Sequence, residues 1–149
     1  MTTPSLTPRD PRFEQKVRED FERQRVMTVL GARLVRVAPG AVDIEMPYRE
    51  SLTQQHGYLH AGIVTTIADS ACGYAAFSLM PPDAGIVSVE FKVNLLAPAV
   101  GQRFLAQGRV KRAGRTLTVC TADVVAESDG HRRTVATMLG TMMQLAERP

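Results

Sequence analysis

The sequence predicts an α+β domain in which one long helix is wrapped by an antiparallel β-sheet. Three observations carry that reading. Residues 61–80 are rich in Ala, Ile, Thr and other small residues and run into Pro81-Pro82, as suits a central helix that other backbones approach closely. In the last third of the chain Val87, Val89, Phe91, Val93 and Leu95 alternate with Ser88, Glu90, Lys92 and Asn94, the period of a half-buried strand. The element order is helix, two strands, long helix, four strands, so strands come in runs and pair antiparallel. A chain of 149 residues is the size of one domain and can bury a core without a metal or a disulfide.

Residues 1–10 read as a flexible N-terminal tail, Thr- and Pro-rich up to Pro8, ahead of a single domain over residues 11–147. Asp10-Pro11 offers an N-cap followed by proline at the first helical position. Phe13, Val17 and Phe21 recur every four residues and Met27 and Leu30 continue the apolar side less regularly, so an extra amphipathic helix is expected to run to Gly31. Residues 33–37 and 42–46 form a hairpin about Pro39-Gly40. Residues 51–59 are irregular and polar. The helix over 61–80 is apolar on nearly every side and is expected to be buried all round. Strands follow at 85–96, 102–112, 116–126 and 132–145, with turns at Ala113-Gly114 and Asp129-Gly130.

Basic residues outnumber acidic ones by 18 to 15, a formal charge of +3. Aromatics are 5% and Trp is absent, which leaves little to stack on bases, so no nucleic-acid partner is expected. A small anionic ligand accounts for so modest an excess. The most apolar window, residues 62–82, carries Asp69 at its centre, and residues 1–11 lack the apolar core of a signal peptide. No membrane association is expected, and the expected compartment is the cytoplasm. Cys72 and Cys120 are too few for a framework of bridges. Spacings of nucleotide-binding loops are absent, and no cofactor is implied. His56 and His60 with Asp69 make a poor zinc set, so no metal is expected.

Asp69 is the sharpest feature. A carboxylate inside an apolar helix must be paired, hydrogen-bonded or protonated. It is either a structural group that bridges backbone or a general base or nucleophile tuned by its site. His60-Ala61-Gly62 stands where the helix begins, and free amides there can hold an oxyanion. His60 alone could equally be a loop histidine bonded to backbone. Asp69 lies nine residues beyond it, about 13 Å along the axis. No carbonyl held at the helix start reaches Asp69 of the same chain, so a site using both needs a second copy. Gln54, Gln55 and His56 precede the helix, and an amide side chain there could also donate to a carbonyl. Cys72, one turn after Asp69, suits a small buried hydrophobe better than a nucleophile. Ser88 stands with Glu90, Lys92 and Asn94 on a strand face that meets either solvent or a site. Arg109, Lys111, Arg112 and Arg115 surround the Ala113-Gly114 turn, as a solvated hairpin tip or as a clamp for phosphate groups.

Taken together, Gly57-Tyr58-Leu59-His60-Ala61-Gly62, Ile67-Ala68-Asp69, Val87-Ser88-Val89-Glu90-Phe91, Leu96-Ala97-Pro98-Ala99, Gly101 and the run Lys111 to Leu117 resemble the hotdog-fold thioesterases. The resemblance is specifically to the phenylacetate-pathway (PaaI-type) acyl-CoA thioesterases, over about residues 30 to 145. The resemblance implies a sheet wrapped around the central helix and paired with a second subunit, in a dimer or a dimer of dimers, with active sites at the subunit interface. It implies an acyl-CoA substrate, with Asp69 activating water or attacking the thioester itself. By the same resemblance the Ala61 amide polarises the carbonyl, His60 and Gly62 shape the turn, Ser88 orients the water, and Gln54 stands where relatives carry an Asn. Ala61 departs from the family's His-Gly-Gly, and its methyl restricts the backbone.

The expected activity is hydrolysis of a small or medium acyl- or aryl-CoA thioester to free acid and CoA. A non-catalytic acyl-CoA or lipid-binding module would need the tunnel and the basic clamp but neither Asp69 nor Ser88. A hydratase or dehydratase of the same fold would need a catalytic His paired with a carboxylate in a different layout, and His131 at a hairpin tip serves poorly.

Overall fold

The computed structural model describes residues 6–149. Helices α1 (Phe13–Arg23) and α2 (Arg25–Leu30) lead into strands β1 (Arg33–Ala38) and β2 (Ala41–Pro47). A 3-10 turn (Glu50–Leu52) precedes the long helix α3 (Ala61–Phe77). Strands β3 (Gly85–Leu95), β4 (Arg103–Ala113), β5 (Leu117–Ser128) and β6 (His131–Leu145) complete the chain. All six strands form one antiparallel sheet in the order β1-β2-β4-β5-β6-β3, and α3 lies across its concave face. The α+β plan read from the sequence is the one observed.

The core sits between α3 and that face. Val42, Ile44 and Met46 of β2, Phe104 and Ala106 of β4, Cys120, Ala122 and Val124 of β5, and Met138 and Met142 of β6 are all buried against it. They recur at every second position, as a strand with one covered face requires. At the crossing β4 carries Gly108, opposite Val42 and Ala122. A methyl group there would collide with the Ala71 carbonyl and lie 2.8 Å from the Cys72 nitrogen. The β5–β6 hairpin turns at Asp129 (φ 49°) and Gly130 (φ 80°), the two left-handed residues that match the twist of paired strands.

Three expectations are corrected. The N-terminal helix does not start at a capping Asp10. Asp10 is buried, its Oδ1 accepts the Arg12 N–H at 2.8 Å, and α1 begins at Phe13. Nor does that helix run unbroken. Gln24 takes an extended ψ of 94° and splits it. In a straight helix Leu30 would point about 140° around the axis from Val17, and the break lets Val17, Phe21, Met27 and Leu30 all reach the core. The long helix ends at Phe77 rather than Met80. There Ser78 donates to the Ala75 carbonyl and accepts the Gly40 N–H.

Of the expected tail, residues 1–5 lie outside the described residues, and residues 6–10 are tied to the domain. The Arg9 N–H donates to the Leu79 carbonyl, and the Asp10 carboxylate lies 3.9 Å from the Lys16 ammonium. Lys16 is itself buried and donates to the Met80 and Pro81 carbonyls at 2.7 and 3.1 Å, just beyond the end of α3. Burial lowers its pKa to about 8, and Asp10 offsets part of that effect.

The Gly108 approach gives a direct stability test. Gly108→Ala is expected to cost about 1–3 kcal/mol, because the added carbon meets backbone that cannot swing aside. The urea midpoint of the variant against the parent measures it.

Candidate active site

The expectation that the long helix is buried all round is corrected: α3 has one partly open side. Gly62, Thr65, Thr66, Asp69 and Gly73 follow one another along a side that the chain leaves partly open. Asp69 sits on that side and is half-buried. Its Oδ1 accepts the Ser88 hydroxyl at 2.7 Å.

That contact depends on an irregularity the sequence did not announce. β3 pairs Ser88 with Met142 but Glu90 with Thr141, so Val89 is an extra residue, a β-bulge. Alternation would put Ser88 on the face of Glu90, Lys92 and Asn94. The bulge instead puts it on the concave face with Met142, which is fully buried, while Glu90 accepts the Thr141 hydroxyl on the other side. The expectation that Ser88 shares its face with those polar residues is therefore corrected. Met142 Sδ also lies 3.4 Å from the Ser88 hydroxyl, but the Asp69 carboxylate is the stronger acceptor and the nearer one.

A cleft of about 150 Å³ opens at Asp69, lined also by Asp20, Gln24, Ser70, Tyr74 and Ser88. Gln24 and Asp20 come from the N-terminal helices, whose polar side has no role legible in the sequence. The Ser70 hydroxyl donates to Gln24 Oε1 at 3.0 Å, so the residue at the helix break braces the site. Their one sequence signal is the faltering of the apolar period before Met27. Cys72 is buried, and burial, then Cys120 and Asp69, push its thiol far above the usual range. Burial pushes the Cys120 thiol up to about 12. Neither is a nucleophile at neutral pH.

At the start of α3, His60 is the N-cap. Its Nδ1 accepts the Gly62 N–H at 2.9 Å, and its carbonyl accepts those of Ile63 and Val64. The Ala61 N–H is left without an acceptor among the described residues. It borders a second cleft of about 330 Å³, walled by Gln54, Leu59, Val64, Leu96 and Val135. Gln54 Oε1 accepts the His56 N–H, which folds that side chain back on its own loop. The structure thus brings Asp69 with Ser88, and Ala61 with Gln54, into two separate places. Of the basic residues, Arg109 pairs with Asp43 across β2 and β4. Lys111, Arg112 and Arg115 are exposed and have no ion-pair partner among the described residues.

A model of the thioesterase superfamily matches residues 56–131, just over half of the chain, from the loop before α3 to the start of β6. The chain belongs to the thioesterase superfamily. It is a thioester hydrolase of that family, as the resemblance implied. It is 31% identical to human acyl-coenzyme A thioesterase 13 over 115 residues, 74% of this chain and 76% of that one. A solved thioesterase family protein from Silicibacter pomeroyi is 57% identical, with a TM-score of 0.88 over 89% of this chain and 98% of that one. The PaaI protein of the E. coli phenylacetic acid degradation operon shares the fold, with a TM-score of 0.82 over 92% and 96% of the two chains at 20% identity. Among the described residues no helix is long and apolar enough to cross a membrane.

The contribution of the His60 cap to stability can be measured apart from turnover. His60→Ala is expected to cost about 1 kcal/mol of stability, and His60→Asn, which can accept the same amide hydrogen, to restore most of it. Urea unfolding of the two variants measures the difference.

Proposed function

We propose that this chain is a cytoplasmic acyl-CoA thioesterase whose active sites form between two copies of the chain, in a dimer or a dimer of dimers. The observation that carries this reading is the separation of the two half-sites. Asp69 with Ser88 and the Ala61 N–H open on different clefts, held apart by two turns of one helix. A water attacking a carbonyl has to sit about 3 Å from both the base and the reacting carbon. No motion within a straight helix brings the two groups that close.

The edge of the sheet supports a partner there. Among the described residues β3 pairs only with β6, and Val89, Phe91 and Leu95 on it are exposed. An unpaired apolar edge is an aggregation hazard unless covered. Pairing two copies of β3 about a two-fold axis would continue the sheet and set Asp69 of one subunit facing Ala61 of the partner subunit.

In that arrangement the Asp69 carboxylate takes a proton from water as the water oxygen bonds to the thioester carbon. The carbonyl electrons move onto oxygen, where the N–H of Ala61 of the partner subunit holds the developing charge. The carbonyl re-forms, the C–S bond breaks with its electrons on sulfur, and the proton on Asp69 passes to the thiolate. Acid and thiol leave. With Asp69 as nucleophile, an anhydride forms first and water then opens it. Ser88 holds the carboxylate in place through its donated hydrogen bond, Gln54 offers its amide to the same carbonyl, and His60 and Gly62 fix the turn. Lys111, Arg112 and Arg115, without ion-pair partners among the described residues, supply the cations for CoA phosphates. Arg109 stiffens the sheet behind them through Asp43.

Asp69→Asn is expected to lower kcat on a thioester by a factor of about 10² or more, with the association state unchanged in sedimentation. Mixing that variant with Gly62→Pro subunits is expected to restore activity, since each mixed dimer keeps one intact site. Undiminished turnover by Asp69→Asn, or a fully active monomer, would sink the scheme.

The clamp has its own test. Joint replacement of Lys111, Arg112 and Arg115 by Ala is expected to raise KM for an acyl-CoA and to spare a pantetheine thioester that lacks the nucleotide. Equal losses on both substrates would point to folding rather than phosphate contact.

A further inference from the structure

The cleft beside Asp69 holds a second carboxylate that hydrolysis does not use. Asp20, near the end of α1, lines it together with Gln24, Ser70 and Tyr74. The Tyr74 hydroxyl donates to Asp20 Oδ2 at 3.3 Å. Tyr74 is 4% exposed and packs edge-on against both Phe21 and Phe77, so it closes the back of the cleft. Burial, reinforced by Asp20, raises its pKa, and the phenol stays a neutral donor.

Charge in this cleft is one-sided. Asp20 and Asp69 both border it, and no Lys, Arg or His among the described residues does. The cation ion-paired with Asp20 is Arg23, at 3.7 Å and 69% exposed; Lys16, one turn earlier on α1, also feels its charge but is held by Asp10 and by the Met80 and Pro81 carbonyls. Arg23 stands in water, where screening leaves such a pair little effect on what lies behind the carboxylate. Gln24 and Ser70 contribute dipoles but no charge.

The shape indicates which part of a thioester belongs here. A small cleft with a closed back takes the end of an acyl chain, whereas a pantetheine arm has to continue outward to its nucleotide. A terminal carboxylate in this cleft would join two others with only neutral donors around it. It would have to be protonated or left with its charge uncompensated, and either costs binding.

We propose that Asp20 is a specificity-determining residue of the acyl pocket, which rejects acyl groups ending in a carboxylate and admits neutral ones. The proposal rests on the acyl-CoA thioesterase reading and deepens it. It also accounts for the N-terminal helix pair, in which α1 carries the selecting charge and the break at Gln24 fixes the wall.

The test compares kcat/KM for glutaryl-CoA with that for 5-methylhexanoyl-CoA, in which an isopropyl group replaces the carboxylate at similar shape. The parent enzyme is expected to favour the neutral thioester by about 100-fold or more. Asp20→Asn keeps an acceptor for the Tyr74 hydroxyl and removes the charge, and is expected to narrow that ratio by about tenfold, with Asp69 maintaining the remainder. Asp20→Ser, a smaller uncharged acceptor, is expected to act in the same direction. Tyr74→Phe removes the contact but keeps the charge, and is expected to leave the ratio where it was. A parent enzyme that hydrolyses both thioesters equally well overturns the proposal. So does a ratio that follows Tyr74→Phe and ignores the Asp20 variants. If neither these thioesters nor a wider set of acyl- and aryl-CoA thioesters is hydrolysed, the acyl-CoA thioesterase reading fails as well, and the two failures are thereby told apart.

Discussion

Helix α3 can lie close against the sheet only because small groups meet where they cross. Gly108 on β4 touches the α3 backbone at Ala71, and Ala68, Ala71, Cys72, Ala75 and Ala76 are buried around that contact. Tight contact there fixes both the height of α3 above the strands and its rotation about its own axis. With that rotation set, Asp69 comes out on the opposite, open side, within hydrogen-bonding distance of β3. A helix lifted by one methyl group would carry its carboxylate away from Ser88, although no residue of the site had changed.

The polar groups of the site are held in the same indirect way. Ser88 restrains Asp69, Gln24 accepts from Ser70 next to it, and Asp20 accepts from Tyr74 one turn further on. Each bond joins α3 to a different element, so the half-site at Asp69 is supported from β3 and from the N-terminal helices together. At the other end of α3 the support is local: His60 caps its own helix and the Gln54 loop closes on itself. One half-site thus depends on tertiary packing, and the other on a turn that its own sequence specifies.

That difference explains what could be read from the residues alone. The hairpins, the order of elements, the helix start at His60 and the isolation of Asp69 were legible because each is written in a few neighbouring residues. The two-period alternation of β3 was legible as well, and it misled at Ser88, because a bulge at Val89 leaves no mark in a run of alternating residues. The break at Gln24 was hidden for a related reason. Phe13, Val17 and Phe21 keep a good helical period up to that point, and only the places of Met27 and Leu30 in the finished core demand a change of direction. Asp20 and Gln24 looked like the polar side of a surface helix, since nothing local distinguishes a side chain facing water from one facing a cleft.

Val89 also bears on how this chain can change in length. One residue inserted into a strand reverses the facing of everything on one side of it. Upstream of Val89, β3 shows Ser88 to the helix; downstream it shows Phe91, Val93 and Leu95, whose partners Gly140, Met138 and Ala136 are buried there. A regular strand of the same length, with no bulge, would put the two segments out of phase, so that either the hydroxyl or the apolar row must turn outward; a strand without Val89 would reach the observed facing by plain alternation. The bulge is a phase setting between chemistry and packing on a single strand. In a lineage of such chains, the extra residue and the bulge are expected to come and go together: a chain of this length keeps the bulge, and a chain one residue shorter at this point needs none.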